Sequence, residues 1–193
     1  MAVERAGDAG ATPAAIIGDE RARVTSAAVA RIMIVGGGCR GRRLAGEMVA
    51  EGHAVRVTTR SEAGRADIER AGAECWVGTP DRLATLRGAL DSVTILCWML
   101  GSAVGSPQQL RALYTERLEF LLTQAIDTTV RGFVYEARGT TVDAETIDAG
   151  ERVVRAVTER NSIPLAFLTQ DAADADAWLR DGADAIRSLL TRA

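Results

Sequence analysis

Residues 34–41 read Ile34-Val35-Gly36-Gly37-Gly38-Cys39-Arg40-Gly41, and this stretch decides the fold. The glycine spacing G-x-G-x-x-G lies directly between a short apolar run and a segment with helical periodicity. In that context Gly36 permits a tight turn, Gly38 lets a pyrophosphate approach the backbone, and Gly41 lets the helix pack on the strand. The stretch therefore predicts a strand-loop-helix unit that binds a dinucleotide. The alternative is a glycine-rich turn that serves packing only.

Short apolar runs alternate with helical segments from Arg31 onward. Strands are predicted at 32–35, 55–59, 75–77, 93–98, 133–135 and 164–168. Alternating strands and helices are typical of a parallel sheet covered on both faces. We predict one doubly wound α/β domain over residues 31–193, with about six parallel strands in the order 3-2-1-4-5-6 and helices on both faces.

Residues 1–30 differ in composition from the rest of the chain. They are rich in Ala, Gly and Asp, and only Ile16-Ile17 forms a bulky apolar pair. Early acidic residues such as Glu4 and Asp8 argue against a targeting peptide. We predict that this segment is a disordered extension.

Two sequences with proline at the first helical position predict helix starts. Thr79-Pro80 is one of them. Ser106-Pro107-Gln108-Gln109 is a capping box, and it predicts a long helix that reaches Asp127. That helix is apolar on more than one face, so it is either deeply buried or shared with a partner. The second interpretation predicts a homodimer.

The end of the second strand indicates which dinucleotide binds. A site for NAD usually carries an acidic residue there, whereas this chain has Thr58-Thr59-Arg60-Ser61 and no carboxylate before Glu62. Arg60 can pair with a 2′-phosphate, and the hydroxyls of Thr59 and Ser61 can donate to it. We therefore predict NADP as the cofactor; the alternative is that Arg60 is a solvated surface residue.

Composition excludes several classes of function. All 23 basic residues of the 193 are Arg, so mechanisms that need a lysine are ruled out. A net charge of −3 gives no basic field for nucleic acid. The most continuous apolar stretch, 93–100, is far shorter than the roughly 18 residues of a membrane helix, so no membrane association is expected.

Cysteine and histidine usage indicates a reducing cytoplasm and no metal site. Cys39, Cys75 and Cys97 are widely separated, and His53 is the only histidine. Cys75 and Cys97 lie in predicted strands and are expected to be inert. Cys39 and Arg40 open the first helix, and we include both among the predicted cofactor contacts. Cys39 is either a reactive thiol at a helix N-terminus or a small side chain tolerated there.

The segments 36–45 and 51–60 resemble the opening of the atypical short-chain dehydrogenase/reductases and NAD(P)-binding epimerase-like proteins. The resemblance continues more weakly to about Phe167. It implies that the loop after strand four, with Leu100 and Gly101, lines the cofactor. It also implies that the loop 136–141 lies beside the nicotinamide.

One departure from that family concerns its catalytic pair. Active members use Tyr-x-x-x-Lys on the helix after strand five, whereas Asp143 and Ile147 fall at about those positions here. The usual reduction mechanism of the family is therefore not inherited. Glu136 and Arg138 follow strand five, where Glu136 could act as an acid or base; the favoured alternative is a structural ion pair between them.

Three functions remain open from the sequence. The first is an NADP(H)-binding or redox-sensing protein without its own catalysis. The second is an NADPH-dependent oxidoreductase or epimerase-like enzyme that acts on a small molecule through groups near Glu136. The third is a related fold that binds no nucleotide and acts only through its surface.

Overall fold

The computed structural model describes residues 29–192. The strands in this range are β1 (Arg31–Val35), β2 (Ala54–Thr59), β3 (Glu74–Val77), β4 (Ile95–Trp98), β5 (Gly132–Glu136) and β6 (Leu165–Leu168). The helices are α1 (Cys39–Ala50), α2 (Arg65–Arg70), α3 (Pro107–Tyr114), α4 (Glu116–Ile126), α5 (Ala144–Arg160) and α6 (Ala175–Leu190). The predicted extension over 1–30 lies outside the described residues, apart from its last two. Within the described range, no helix has both the length and the apolar composition needed to cross a bilayer.

The six strands form one parallel sheet in the order β3-β2-β1-β4-β5-β6, which confirms the predicted order. In the centre, Ile32 of β1 pairs with Val55 of β2 on one side and with Ile95 of β4 on the other. The chain leaves β3 at one edge and returns beside β1. The order of strands therefore reverses between β1 and β4, and a crevice opens at their carboxyl ends.

Two apolar cores cover the two faces of the sheet. Side chains alternate along a strand, so Met33 and Val35 of β1 point to the core that α3, α4 and α5 complete. Ile32 and Ile34 point to the core that α1, α2 and α6 complete. This arrangement confirms the doubly wound architecture with helices on both faces.

The prediction of a helix start at Thr79-Pro80 is wrong. The chain turns there and then forms two short 3₁₀ segments, Leu83–Thr85 and Gly88–Leu90. The Thr79 hydroxyl accepts a hydrogen bond from the backbone N–H of Asp81 at 3.2 Å, and the Thr79 N–H donates to Thr85 Oγ1 at 2.9 Å. Such local bonds between side chain and backbone compete with the helical ladder.

The capping box at the start of α3 is confirmed. Ser106 Oγ accepts from the backbone N–H of Gln109 at 3.3 Å, and Gln109 Oε1 accepts from the backbone N–H of Ser106 at 2.8 Å. These two bonds satisfy N–H groups that a helix start leaves without partners.

The prediction of one continuous helix from Ser106 to Asp127 is wrong, because the chain breaks at Thr115 into α3 and α4. Thr115 has φ −115° and ψ −94°, and its hydroxyl donates to the carbonyl of Arg111 at 2.7 Å. This bond to the preceding turn is one that bends helices. Because of the break, both helices bury apolar sides in the same core, while Phe120 is 48% exposed. The homodimer stays a prediction.

Candidate functional site

A cavity of about 650 Å³ opens at the carboxyl ends of the strands, where the order reverses between β1 and β4. Open α/β sheets bind ligands at this place, and the volume is in the range of small-molecule sites. The loops after β1 to β4, the start of α3, the end of β5 and α6 form its walls. Among the predicted cofactor contacts, those that line it are Gly36, Gly38, Cys39, Arg40, Gly41, Thr59, Arg60 and Leu100.

The three glycines of the G-x-G-x-x-G spacing do not all have the same structural role. Gly36 has φ +136°, and a Cβ there would collide with the carbonyl oxygen of Met99. A Cβ at Gly41 would collide with the carbonyl oxygen of Gly36. Gly38 has an ordinary φ of −68°, and a Cβ there would meet no atom within 4 Å. The fold therefore requires glycine at positions 36 and 41. At Gly38, the missing side chain only leaves space at the cavity wall.

The first turn of α1 is open to an anion. Its N-cap, Gly38, makes no side-chain hydrogen bond, and the turn contains no acidic residue. The N–H groups of a helix start lack intrahelical acceptors and carry partial positive charge. Arg40 lies in this turn, with its guanidinium 5.5 Å from the centroid of the Trp178 ring. The cavity is therefore electropositive at its glycine wall.

The end of β2 brings Thr59 and Arg60 to the cavity, whereas Ser61 does not line it. Arg60 is exposed and has no ion-pair partner among the described residues. The hydroxyl of Thr59 donates to the carbonyl of Ser61 at 3.2 Å. The nearest acidic residue in sequence, Glu62, pairs with Arg65 and lies outside the lining. The charge presented to the cavity directly after β2 is thus positive.

Gly101 does not line the cavity but lies behind its wall. Its N–H donates to Glu136 Oε2 at 2.6 Å, and its carbonyl accepts from the N–H of Thr140 at 2.8 Å. The loop after β5 therefore packs on the loop after β4. Of the loop 136–141 that the family resemblance places beside the nicotinamide, Glu136 alone lines the cavity.

Glu136 is buried, with 2% of its surface exposed. Besides the bond from Gly101, its Oε1 accepts a hydrogen bond from Trp178 Nε1 at 2.8 Å. Burial raises the pKa of the Glu136 carboxyl, while these two bonds and the charge of Arg40 oppose that shift. Among the described ion pairs, none joins Glu136 to Arg138, so the expected structural pair between them is wrong.

The positions that correspond to the Tyr-x-x-x-Lys pair have structural roles in this chain. Asp143 is the N-cap of α5, and its carboxylate accepts from the backbone N–H of Thr146 at 2.8 Å. These bonds to Thr146 hold the pKa of Asp143 below its ordinary value. Ile147 is buried, and its carbonyl accepts from the hydroxyl of Tyr135 at 2.7 Å. Neither residue lines the cavity.

The polar or aromatic residues of the cavity wall that sequence reasoning missed include Trp178, Asp81 and Gln109. Trp178 lies on α6, and 42 residues separate it from its partner Glu136. Asp81 lies in the turn that replaces a predicted helix, and it pairs with Arg117 of α4. A lone tryptophan in the first turn of an acidic helix was the one signal available for Trp178.

The thiols and the imidazole form no metal site. Cys39 is exposed at the cavity, Cys75 is half-buried and Cys97 is buried. Burial raises the pKa of the Cys97 thiol, which fits an inert core residue. His53 is buried between α1 and β2, where its Nδ1 lies 3.4 Å from the backbone N–H of Ala30. In the part of the chain that the structure describes, no group of three metal-ligating side chains occurs.

Solved structures with the same fold include two reductases and an epimerase. Vestitone reductase from alfalfa matches with a TM-score of 0.56 and 14% identity over 71% of this chain and 55% of that chain. Triphenylmethane reductase of Citrobacter sp., complexed with NADP(H), matches with a TM-score of 0.55 and 18% identity over 72% of this chain and 49% of that chain. UDP-glucose 4-epimerase of Thermotoga maritima with UDP-glucose matches with a TM-score of 0.59 and 13% identity over 71% of this chain and 54% of that chain.

These similarities show the fold: the chain has a Rossmann-type α/β architecture, which these reductases and this epimerase share. It spans about half the length of the solved chains that it matches. No protein-family model matches the sequence, and no curated protein sequence matches it.

Proposed function

We propose that the chain binds NADP(H) in the cavity at the carboxyl ends of the strands. The observation that carries this proposal is the open space at Gly38, beside a helix start without a cap or an acidic residue. A packing role explains Gly36 and Gly41 but not Gly38. The backbone at Gly38 and the first turn of α1 would hold the pyrophosphate.

Arg60 supports NADP(H) over NAD(H). It is exposed at the cavity, and β2 presents no carboxylate there that would accept hydrogen bonds from a ribose or repel a 2′-phosphate. A guanidinium can bind that phosphate with two parallel hydrogen bonds. The complex of triphenylmethane reductase with NADP(H), on the same fold, supports the same choice of nucleotide.

The residues favour a protein that binds the nucleotide but does not use the Tyr-x-x-x-Lys mechanism. The lysine and tyrosine of the catalytic pair are absent from the helix after β5, and the residues in their place cap and pack that helix. A nucleotide-binding or redox-sensing role needs only the cavity.

A reductase is the second candidate, and one observation favours it. Glu136 is a buried carboxyl at the cavity wall with a raised pKa, as an acid catalyst requires. Its two oxygens already accept hydrogen bonds from Gly101 and Trp178. Oxidation of NADPH in the presence of carbonyl and quinone compounds would support this candidate, provided that the activity depends on Glu136.

Paired titrations of the purified protein with NADPH and NADH test the proposal, with energy transfer from the tryptophans as the signal. We expect tighter binding of NADPH, and a loss of about tenfold or more in Arg60→Ala because a charge-assisted hydrogen bond contributes about 1.5–3 kcal/mol. Arg152→Ala is the matched control, since Arg152 is exposed on α5 and does not line the cavity.

The other outcomes also have definite meanings. Equal affinity for both nucleotides would remove the role of Arg60 but keep the nucleotide site. Binding of neither nucleotide would overturn the proposal and leave the glycine loop as a packing feature.

A further inference from the structure

Three walls of the cavity meet at one carboxyl group. Glu136 ends β5, and its two oxygens accept hydrogen bonds from the loop after β4 at Gly101 and from α6 at Trp178. Trp178 in turn lies against the guanidinium of Arg40 in the first turn of α1. Arg40, Glu136 and Trp178 all line the cavity. The Glu136 side chain thus connects β5, the loop after β4 and α6, three of the elements that surround the site.

The loop after β4 packs directly on this carboxyl. A Cβ at Gly101 would lie 2.5 Å from the carbonyl oxygen of Arg138 and 2.8 Å from Glu136 Cδ, so the backbone of Gly101 packs directly against both. Thr141 adds a bond from its hydroxyl to the carbonyl of Ala103 at 2.8 Å. Ala103 lines the cavity, as does Leu100 on the other side of Gly101.

We propose that Glu136 is a positioning residue of the nucleotide site, which holds the loop after β4 and the start of α6 at the separation that the ligand requires. This inference rests on the proposed NADP(H) binding. It assigns to Glu136 neither an ion pair with Arg138 nor contact with a reacting atom. The carboxylate suits the task because it presents two acceptors to two buried donors.

Glutamine is the informative replacement, because it has nearly the same shape but only one acceptor oxygen. In Glu136→Gln, either the Gly101 N–H or the Trp178 indole N–H must face the amide NH₂ group, so one buried donor loses its partner. Trp178→Phe removes one of the two donors. In the double variant the amide oxygen can accept from Gly101, and the amide nitrogen no longer faces a donor.

The experiment measures the affinity for NADPH of the wild type, Glu136→Gln, Trp178→Phe and the double variant, well below their unfolding temperatures. We expect Glu136→Gln and Trp178→Phe each to bind about tenfold more weakly, and the double variant to lose no more than the larger single loss, because both substitutions break the same link to α6. Glu159→Gln on the exposed end of α5 is the control for the substitution itself. Ile186→Val is the control for lost stability, because Ile186 is buried in α6 and does not line the cavity.

Equal affinity of Glu136→Gln and the wild type would overturn the inference while the proposed function stands. Losses of affinity that add up in a folded double variant would overturn it as well, because Glu136 and Trp178 would then act independently. An equal loss of affinity in Ile186→Val would assign the effect to stability and overturn the positioning role. Failure of the wild type itself to bind NADPH would overturn the proposed function, and this inference with it.

Discussion

At the scale of single residues, neighbouring glycines of one loop serve different purposes. Gly36 and Gly41 allow β1, α1 and the loop after β4 to approach each other, because a Cβ at either position would collide with a backbone oxygen. Gly38 serves no such contact. In the proposed function, a ligand that needs the space at the cavity wall would account for Gly38, and this contrast would separate the folding role of the loop from its binding role.

Replacement of each glycine by alanine should separate these roles. Gly38→Ala should change the free energy of unfolding by about 1 kcal/mol or less, the scale of an N-cap effect, and should weaken NADPH binding about a hundredfold. Gly36→Ala should lower the free energy of unfolding by about 3 kcal/mol or more, because of the collision and the positive φ. Denaturant unfolding and NADPH titration check both results. Unchanged NADPH affinity in Gly38→Ala would contradict the binding role.

At the scale of elements, packing against the sheet decides where the helices break more than their own apolar periodicity does. The apolar pattern of residues 106–127 is continuous, yet the chain bends at Thr115 and packs both halves against the same core. Next to the break, α5 approaches so closely that a Cβ at Gly150 would lie 2.8 Å from Tyr114 Cδ1 and would collide with the Tyr135 hydroxyl. The position of α5 thus depends on a residue without a side chain.

Two helical glycines should respond to alanine with opposite signs. Gly150→Ala on α5 should lower the free energy of unfolding by about 1–3 kcal/mol, the usual cost of overpacking. Gly46→Ala on α1 should raise it by up to about 1 kcal/mol, because alanine favours helices and the nearest atom to its Cβ would be the Ala71 carbonyl oxygen at 3.7 Å. Denaturant midpoints measure both changes. A stabilising Gly150→Ala would show that α5 has room to shift.

At the scale of the whole molecule, the cavity connects both cores. Its walls include α1 and α6 from one face of the sheet and α3 from the other, with strand ends between them. A ligand in the cavity would therefore contact both layers at once. Binding should stabilise the folded domain as a unit, since the unfolded chain has no such site.

NADPH should raise the thermal midpoint more than NADH at equal concentration. At a hundredfold excess over its Kd, a ligand contributes about 2.7 kcal/mol, which shifts the midpoint of a domain of this size by about 5 to 11 °C. Scanning fluorimetry with an external dye measures the shift, with Arg60→Ala as the comparison. A larger shift with NADH than with NADPH would contradict the predicted cofactor.

The linear pattern of the chain by itself determined the strands and the glycine loop, and the doubly wound fold class that they indicate supplied the strand order. Three features are local properties of the sequence: the short apolar runs, the helical stretches between them and the glycine spacing at Gly36, Gly38 and Gly41. They can be recognised without knowing what packs against them. Arg60 could be placed at the end of β2 for the same reason, because its position follows from the strand that precedes it.

The tertiary structure alone decided what depends on distant residues. Glu136 finds Gly101 and Trp178 from 35 and 42 residues away, in preference to Arg138 two positions along the chain. The break at Thr115 and the turn at Thr79 result from side-chain bonds and packing that override helix propensity. Hydrogen-bond partners of buried groups are set by which elements the sheet brings together, and no local pattern encodes that choice.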